Sequence, residues 1–160
     1  MKFNIKPSRP DDRDYIYKSD TTQVLRESVD LREWDTIVES QDSLGSCSAN
    51  AITNAYELCV NRMYPKYFSH LSRLFVYYNT RVEYGIVEKD EGMFLRDGMK
   101  SLSKFGVCTE ELWSYDITKF STRPTEECYE DAKKRKIPKY QRLISNYYIT
   151  EVLNNNKPVV

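Results

Sequence analysis

The sequence lacks an excess of charge of either sign. Its 160 residues include 24 Lys plus Arg and 24 Asp plus Glu, so the formal net charge at pH 7 is zero. Without a basic excess we expect neither nucleic acid nor an anionic membrane surface as a partner. The longest apolar runs are only a few residues, whereas a membrane-spanning helix needs roughly 20. Residues 1–20 carry frequent charges and no apolar secretory core, which predicts a cytoplasmic protein in a reducing compartment.

Cysteine, histidine, glycine and proline are also scarce. The chain has 4 Cys, 1 His, 5 Gly and 6 Pro. The cysteines are far apart, with no C-x-x-C pair, so we expect neither a disulfide framework nor a structural zinc site, and no cofactor. The low glycine and proline content excludes collagen-like and low-complexity chains, and 40% hydrophobic residues suffice for a packed interior.

The spacing of apolar residues predicts four main helices after an extended segment, residues 1–27. The first helix should begin at Cys47, and the second should be capped by Ser69 and end near Gly85. The third should begin after Asp90-Glu91-Gly92 and stop at Gly106. The fourth should have Pro124 at its first position.

The remaining sequence predicts short elements. Tyr140 to Ile144 indicate a strand, residues 149–154 a helical turn, and residues 158–160 the start of another strand. An apolar strand that stops after two residues would leave unpaired edge groups, so we expect the chain to be an incomplete piece.

Cys47 is placed where a reactive thiol is expected. At the first turn of a helix, N–H groups and the positive end of the helix dipole favour a thiolate. Gln41 lies upstream, and Gly45-Ser46 directly precede the cysteine. The Gln41 side-chain amide and the Cys47 N–H could therefore converge on one oxyanion. Taken alone, a cysteine in a helical pattern is more often a small buried hydrophobic residue.

Around Cys47 the sequence resembles the papain-like cysteine peptidases, and most closely their microbial and viral members without a secretory signal. The similarity covers nearly the whole chain, in the segments Arg9-Pro10-Asp11, Arg13-Asp14-Tyr15, 29–32, 44–51, 71–75, 77–81 and 106–110.

The resemblance implies an α+β protein in which Cys47 heads the long helix of a mainly helical left domain. A β-rich right domain supplies the catalytic His and Asn in that family, with the His about 130 to 150 residues after the nucleophile. This chain ends at Val160, short of that distance. We therefore expect residues 28–160 to form a papain-like domain whose right half is largely missing.

The resemblance also implies a substrate-binding segment. Gly92, Met93 and Phe94 correspond to the family segment that pairs its backbone with an extended peptide and forms one wall of the main specificity pocket. Gly45 and Ser46 would lie against the same peptide. The simpler interpretation of residues 90–94 is a loop and helix start with Phe94 in the core.

Several residues depart from the family pattern. Leu44 and Ser48 stand where secreted members have a disulfide-bonded Cys and an aromatic residue. Asp42 follows Gln41 where relatives usually carry Gly, and its carboxylate would oppose an oxyanion unless it points to solvent. His70 is the only histidine; the resemblance places it at the start of the second helix, away from the cleft, as a surface or capping residue.

Two functional hypotheses follow. In the first, the chain is the amino-terminal half of a peptidase that hydrolyses peptide bonds through a thioester, with Cys47 as nucleophile and Gln41 as oxyanion donor. Its partners would be an extended peptide or protein substrate and the missing carboxy-terminal half of the fold. In the second, the chain is an inactive relative that binds a peptide or protein along the same cleft wall.

Overall fold

Helices make up most of the regular structure. The computed structural model describes residue 8, residues 10–20 and residues 22–160. Within these residues the α-helices are α1 (Cys47–Met63), α2 (Arg73–Val82), α3 (Leu95–Lys104), α4 (Glu126–Ala132) and α5 (Asn146–Asn154). Over the same residues, β-pairing is limited to two isolated bridges, Ile16 with Arg142 and Leu71 with Thr109. None of the described helices is both long enough and apolar enough to cross a membrane.

The starts of α1 and α3 agree with the sequence predictions. The first helix begins at Cys47, and the third begins at Leu95 and is followed by Gly106 with φ of +80°. The cap of α2 was predicted wrongly. Ser72, and not Ser69, is the N-cap, and its hydroxyl accepts a hydrogen bond from the Phe75 N–H at 3.1 Å.

The carboxy-terminal predictions need further correction. Pro124 precedes the N-cap residue Thr125 and is not itself helical. Tyr140 to Ile144 do not form a strand, because only Arg142 bridges a neighbouring segment. The predicted turn at 149–154 is part of the longer α5, which Ser145 caps. Residues 158–160 have no regular structure.

The predicted extended segment, residues 1–27, lies partly outside the described residues, namely at 1–7, 9 and 21. Its described part contacts the rest of the chain through polar bonds. Asp14 pairs with Arg96 of α3 and with Arg142, and the Asp20 N–H donates to Glu151 of α5 at 2.6 Å. The domain boundary at residue 28 stays a prediction.

In the part of the chain that the structure describes, the core consists of two clusters, and both include residues of α2. One contains apolar side chains of α1, α2 and α3 together with Met93 and Val107. The other lies between α2, α4 and the segment around Trp113. Every residue of α2 from Arg73 to Arg81 is buried. A helix buried on all sides occupies the centre of a domain, so α2 connects the packing around Cys47 to the rest of the structure.

Candidate active site

Cys47 is the first residue of α1 and is half-buried. Ser46, the N-cap residue, is fully buried. The Ser46 carbonyl accepts hydrogen bonds from the Asn50 backbone N–H and from Asn50 Nδ2, both at 3.0 Å. The structure therefore places the thiol at the amino end of a 17-residue helix, where the backbone N–H groups of the first turn have no partner within the helix.

The loop from Gln41 to Ser46, here called the nucleophile loop because it precedes the predicted nucleophile Cys47, is closed by its own hydrogen bonds. The Leu44 N–H donates to the Gln41 carbonyl at 3.2 Å, and Gln41 Nε2 donates to the Leu44 carbonyl at 2.7 Å. Gln41 is only 8% exposed and Leu44 is packed in the second core cluster. The buried Leu44 therefore anchors the loop in the core.

Asp42 has a backbone conformation that explains the glycine expected there. Its φ is +50°, in the left-handed region that Gly adopts without cost and that Asp tolerates better than most residues. Its exposed carboxylate accepts a hydrogen bond from the Ser40 hydroxyl at 2.9 Å. The Asp42 carboxylate therefore lies at the protein surface, where it is hydrogen-bonded to Ser40.

Asp90 joins the nucleophile loop to the predicted substrate-binding segment. Its Oδ1 atom accepts from the Gly45 N–H at 2.8 Å and from the Tyr77 hydroxyl at 2.5 Å. The Tyr77 hydroxyl in turn accepts from the Gly92 N–H at 3.3 Å. Burial, together with the hydrogen bond to Asp90, raises the pKa of Tyr77, so this hydroxyl stays protonated. Asp90 and Tyr77 therefore connect Gly45 to Gly92 through hydrogen bonds, although the two glycines are far apart in sequence.

The predicted substrate-binding residues occupy different environments. The Met93 side chain is 1% exposed and belongs to the core cluster of α1, α2 and α3. Phe94 is half-buried beside Tyr84, with ring centroids 5.9 Å apart. Gly92 is buried, and its N–H is engaged by Tyr77. The Met93 side chain therefore supports the segment from the core, and Phe94 is the bulky side chain of this segment that reaches the surface.

Tyr115 also contacts the nucleophile loop, at both of its ends. Its hydroxyl donates to the Gln41 carbonyl at 3.0 Å and also contacts Ser46 Oγ. Its ring lies 4.0 Å from the guanidinium carbon of Arg73, at the start of α2. Burial raises the pKa of Tyr115. The hydroxyl is therefore neutral and able to donate at physiological pH.

His70 lies beside the middle of α1 and not at its start. Its Nδ1 atom is 3.7 Å from Glu57 Oε2, and its ring packs edge-on against Phe68 at 5.1 Å. Glu57 follows Cys47 by ten residues on the same helix, about 15 Å along its axis. This location agrees with the structural role that the sequence predicted for His70.

Glu110, which is hydrogen-bonded to the backbone of Tyr115, has a raised pKa. Glu110 Oε1 accepts from the Tyr115 N–H at 2.5 Å. Burial raises the pKa of Glu110 to about 7, against the opposing influence of Arg73. No group of three or more His, Cys, Asp or Glu side chains in the described residues could hold a metal ion.

Comparison with known proteins identifies the fold. No family model matches the chain. A curated relative, an uncharacterised peptidase C1-like protein of Acanthamoeba polyphaga mimivirus, is 35% identical in an alignment of 159 residues that covers 88% of this chain and 51% of the relative. Xylellain, a cysteine protease from Xylella fastidiosa, has a crystal structure that superposes with a TM-score of 0.78 at 34% identity, covering 95% of this chain and 61% of xylellain. The predicted resemblance is confirmed: the chain is similar in sequence and in fold to papain-like cysteine peptidases, and it covers part of their length.

A more distant structure agrees with the papain-like fold. A structure from work on the mite allergens Blo t 1 and Der p 1 superposes with a TM-score of 0.66 at 19% identity, covering 86% of this chain and 46% of that one. At this identity the match indicates the fold alone. The chain spans about half the length of the curated relative it matches. The predicted fold class is confirmed: the chain has the mainly helical left domain of the papain-like fold.

Sequence reasoning missed the residues that hold this site together. The sequence predicts no supporting role for Tyr77, Asn50, Arg73 or Tyr115. Tyr115 follows Ser46 by 69 residues. No local pattern signals a contact at such a separation, because only the tertiary packing brings the two residues together.

Proposed function

We propose that this chain carries the nucleophile and oxyanion site of a cysteine-type peptidase. Cys47 is the nucleophile, and the Cys47 N–H and the Gln41 side-chain amide are the oxyanion donors. The observation that supports this proposal best is the half-buried Cys47 at the first position of α1, directly after a loop that also contains Gln41.

The proposed reaction forms and breaks one thioester. Cys47 Sγ attacks the carbonyl carbon of the scissile peptide bond, and the C=O electron pair moves to oxygen to give a tetrahedral oxyanion. Collapse of this intermediate breaks the C–N bond, and the departing amine takes a proton. Water then hydrolyses the thioester and releases the acid product and the thiol.

Proton transfer requires a base that we do not assign to any residue of this chain. His70 is the only histidine, and it contacts Glu57 on the middle of α1. We propose that an imidazole and its orienting amide belong to sequence outside these 160 residues. The base would both stabilise the thiolate and protonate the leaving amine.

Turnover of a fluorogenic peptide tests this proposal. The peptide carries an apolar residue one position before the cleavage-site residue. The 160-residue chain alone should turn over negligibly, and a polypeptide that continues into the downstream sequence of its gene should be faster by orders of magnitude. Cys47→Ala should abolish that gain, and Gln41→Ala should lower it by roughly 10² to 10³.

His70→Ala is the control for this experiment, and it should change little in either polypeptide. Full activity of the 160-residue chain that disappears with His70→Ala would contradict the proposal and identify His70 as the base.

An inactive peptide-binding relative is the second candidate function. The hydrogen bonds that connect Gly45, Asp90, Tyr77 and Gly92 support it, because they would shape one wall of a cleft without any base. Binding of an extended peptide with no turnover in the longer polypeptide would favour this function. In either case we propose a reducing, cytoplasmic setting, which agrees with four cysteines that form no disulfide.

A further inference from the structure

One hydroxyl group contacts both ends of the nucleophile loop. The Tyr115 hydroxyl lies against the backbone carbonyl of Gln41 and the side chain of Ser46, the residue before Cys47. We propose that Tyr115 is a positioning residue that holds Gln41 and Cys47 at the spacing of a single oxyanion site. This inference rests on the proposed function, because it concerns the same oxyanion site.

The direction of the hydrogen bonds around Tyr115 follows from the groups involved. A carbonyl can only accept, so the single Tyr115 hydroxyl proton goes to the Gln41 carbonyl, 3.0 Å away. The Ser46 hydroxyl must then donate to the Tyr115 oxygen. Ser46 Oγ itself accepts from Asn50 Nδ2 at 3.1 Å. The result is a directed chain from Asn50 through Ser46 and Tyr115 to Gln41, in which each link has a donor and an acceptor.

Arg73 holds Asn50, at one end of this chain, and Ser40, the residue before Gln41 at the other end. Its Nη1 atom donates to Asn50 Oδ1 at 2.9 Å, which fixes the orientation of the Asn50 amide, and to the Ser40 carbonyl at 3.0 Å. Its guanidinium lies over the Tyr115 ring. Arg73 is 9% exposed and belongs to the buried helix α2. The central helix of the domain therefore sets the position of Tyr115, and Tyr115 sets the position of the loop.

Removing the Tyr115 hydroxyl should affect the oxyanion site more than the thiol. Cys47 is part of α1 and keeps its helical hydrogen bonds without Tyr115. The Gln41 carbonyl and the Ser46 hydroxyl would each lose a buried partner, and the loop between them could then shift. Oxyanion stabilisation depends on donors placed within a few tenths of an ångström, whereas simple alkylation of the thiol does not.

A peptide aldehyde separates these two properties. We would use acetyl-phenylalanyl-glycinal, whose aldehyde carbon bonds to Cys47 Sγ while the thiol proton passes to the aldehyde oxygen, giving a thiohemiacetal with that oxygen in the oxyanion site. Tyr115→Phe should weaken aldehyde binding about tenfold. The rate of Cys47 alkylation by iodoacetamide should change by less than about twofold, since alkylation develops no oxyanion.

A double-mutant cycle distinguishes positioning from general destabilisation. If Tyr115 acts through Gln41, then Tyr115→Phe should have less than about a twofold effect on aldehyde binding in a Gln41→Ala background. Tyr129→Phe is the matched control, because its hydroxyl donates to Asn79 Oδ1 at 2.8 Å outside the loop. Equal effects of Tyr115→Phe and Tyr129→Phe, or independent effects of Tyr115→Phe and Gln41→Ala, would overturn the proposal.

A failure of the proposed function can be distinguished from a failure of the positioning role of Tyr115. If Cys47 of the unmodified chain reacts with iodoacetamide but binds no aldehyde, the oxyanion function is wrong, and amide hydrogen exchange then decides the role of Tyr115. Tyr115→Phe should accelerate exchange at the Leu44 amide about tenfold relative to Tyr129→Phe. Unchanged exchange would overturn the positioning role. Should Tyr115→Phe fail to fold, Ser46→Ala interrupts the same hydrogen-bond chain one link earlier and should change exchange in the same direction.

Discussion

At the scale of single residues, burial divides the four cysteines into two pairs. Cys47 and Cys59 are half-buried, whereas Cys108 and Cys128 are buried. Burial raises the pKa of the Cys59 thiol and raises that of Cys108 further, where the neighbouring Cys128 adds to the effect. A thiol reacts with an electrophile only when it is both accessible and ionised.

We therefore expect Cys47 to be the fastest of the four cysteines to react with iodoacetamide at neutral pH. Cys59 should react more slowly because desolvation disfavours its thiolate, and Cys108 and Cys128 should react at least about tenfold more slowly than Cys47. Alkylation followed by peptide mapping of the folded chain measures all four rates in one sample. Faster alkylation of Cys108 or Cys128 would show that the helix start does not control reactivity here.

At the scale of elements, turn residues decide where helices stop. Gly106 follows α3 with φ of +80°, and a Cβ atom at this position would lie 1.9 Å from the Ala132 carbonyl oxygen of α4. Gly85 follows α2 with φ of +64°, and a Cβ atom there would meet nothing within 4 Å. These two glycines have the same backbone preference, and only Gly106 is also needed for packing.

Gly106→Ala should therefore lower the free energy of unfolding by more than Gly85→Ala. The left-handed backbone costs about 1 kcal/mol at either site, and the clash with the α4 carbonyl should bring the loss at Gly106 to about 3 kcal/mol. Urea denaturation of the two variants measures the difference. Equal losses would mean that α4 moves away from α3 at little cost.

At the scale of the whole molecule, the half-buried Glu110 and the buried Arg73 connect the nucleophile loop to the domain centre. Glu110 bonds the Tyr115 N–H, and its Oε1 atom lies 3.9 Å from Arg73 Nη2. Burial raises the pKa of Glu110 from its ordinary value of 4.5 to about 7, and the nearby carboxylates Glu39 and Glu57 act in the same direction as burial. The folded chain therefore binds this proton more tightly than the unfolded chain does.

This linkage predicts that the contribution of Glu110 to stability falls as the pH rises. Between pH 4.5 and about 7 the unfolded chain has already lost the proton that the folded chain keeps, so the free energy of unfolding decreases over this range. Glu110→Gln keeps an oxygen acceptor for Tyr115 and has no proton to lose. Relative to the unmodified chain, it should gain stability with rising pH, by on the order of 2 kcal/mol at pH 8.

Glu111→Gln is the matched control, since Glu111 is the exposed neighbour of Glu110. Thermal or urea unfolding at several pH values measures both variants against the unmodified chain. A pH dependence that Glu110→Gln leaves unchanged, or that Glu111→Gln removes equally, would assign the linkage to other groups.

The sequence alone predicted those features that depend on neighbours in the chain. Helical periodicity indicated α1 and its start at Cys47, and Gly106 marked the end of α3, because such patterns act over one or two turns. The reactivity of Cys47 stays a prediction. The errors at Ser69 and Pro124 are shifts of a few residues, where competing caps lie close together. The strand prediction for Tyr140 to Ile144 was wrong because a strand needs a paired neighbour along its length. Of these five residues, only Arg142 pairs with another described segment.

Tertiary structure decided which distant residues surround the predicted site. Asp90 reaches the Gly45 N–H across 45 residues, and Tyr115 reaches the Gln41 carbonyl across 74. These contacts exist because the buried helix α2 places Tyr77 beside Asp90 and Arg73 beside Tyr115. Local sequence patterns predict the chemistry that we propose for Cys47 and Gln41. The packing of α2 determines which distant residues support these two, since hydrogen-bond geometry between distant segments is a property of the folded chain.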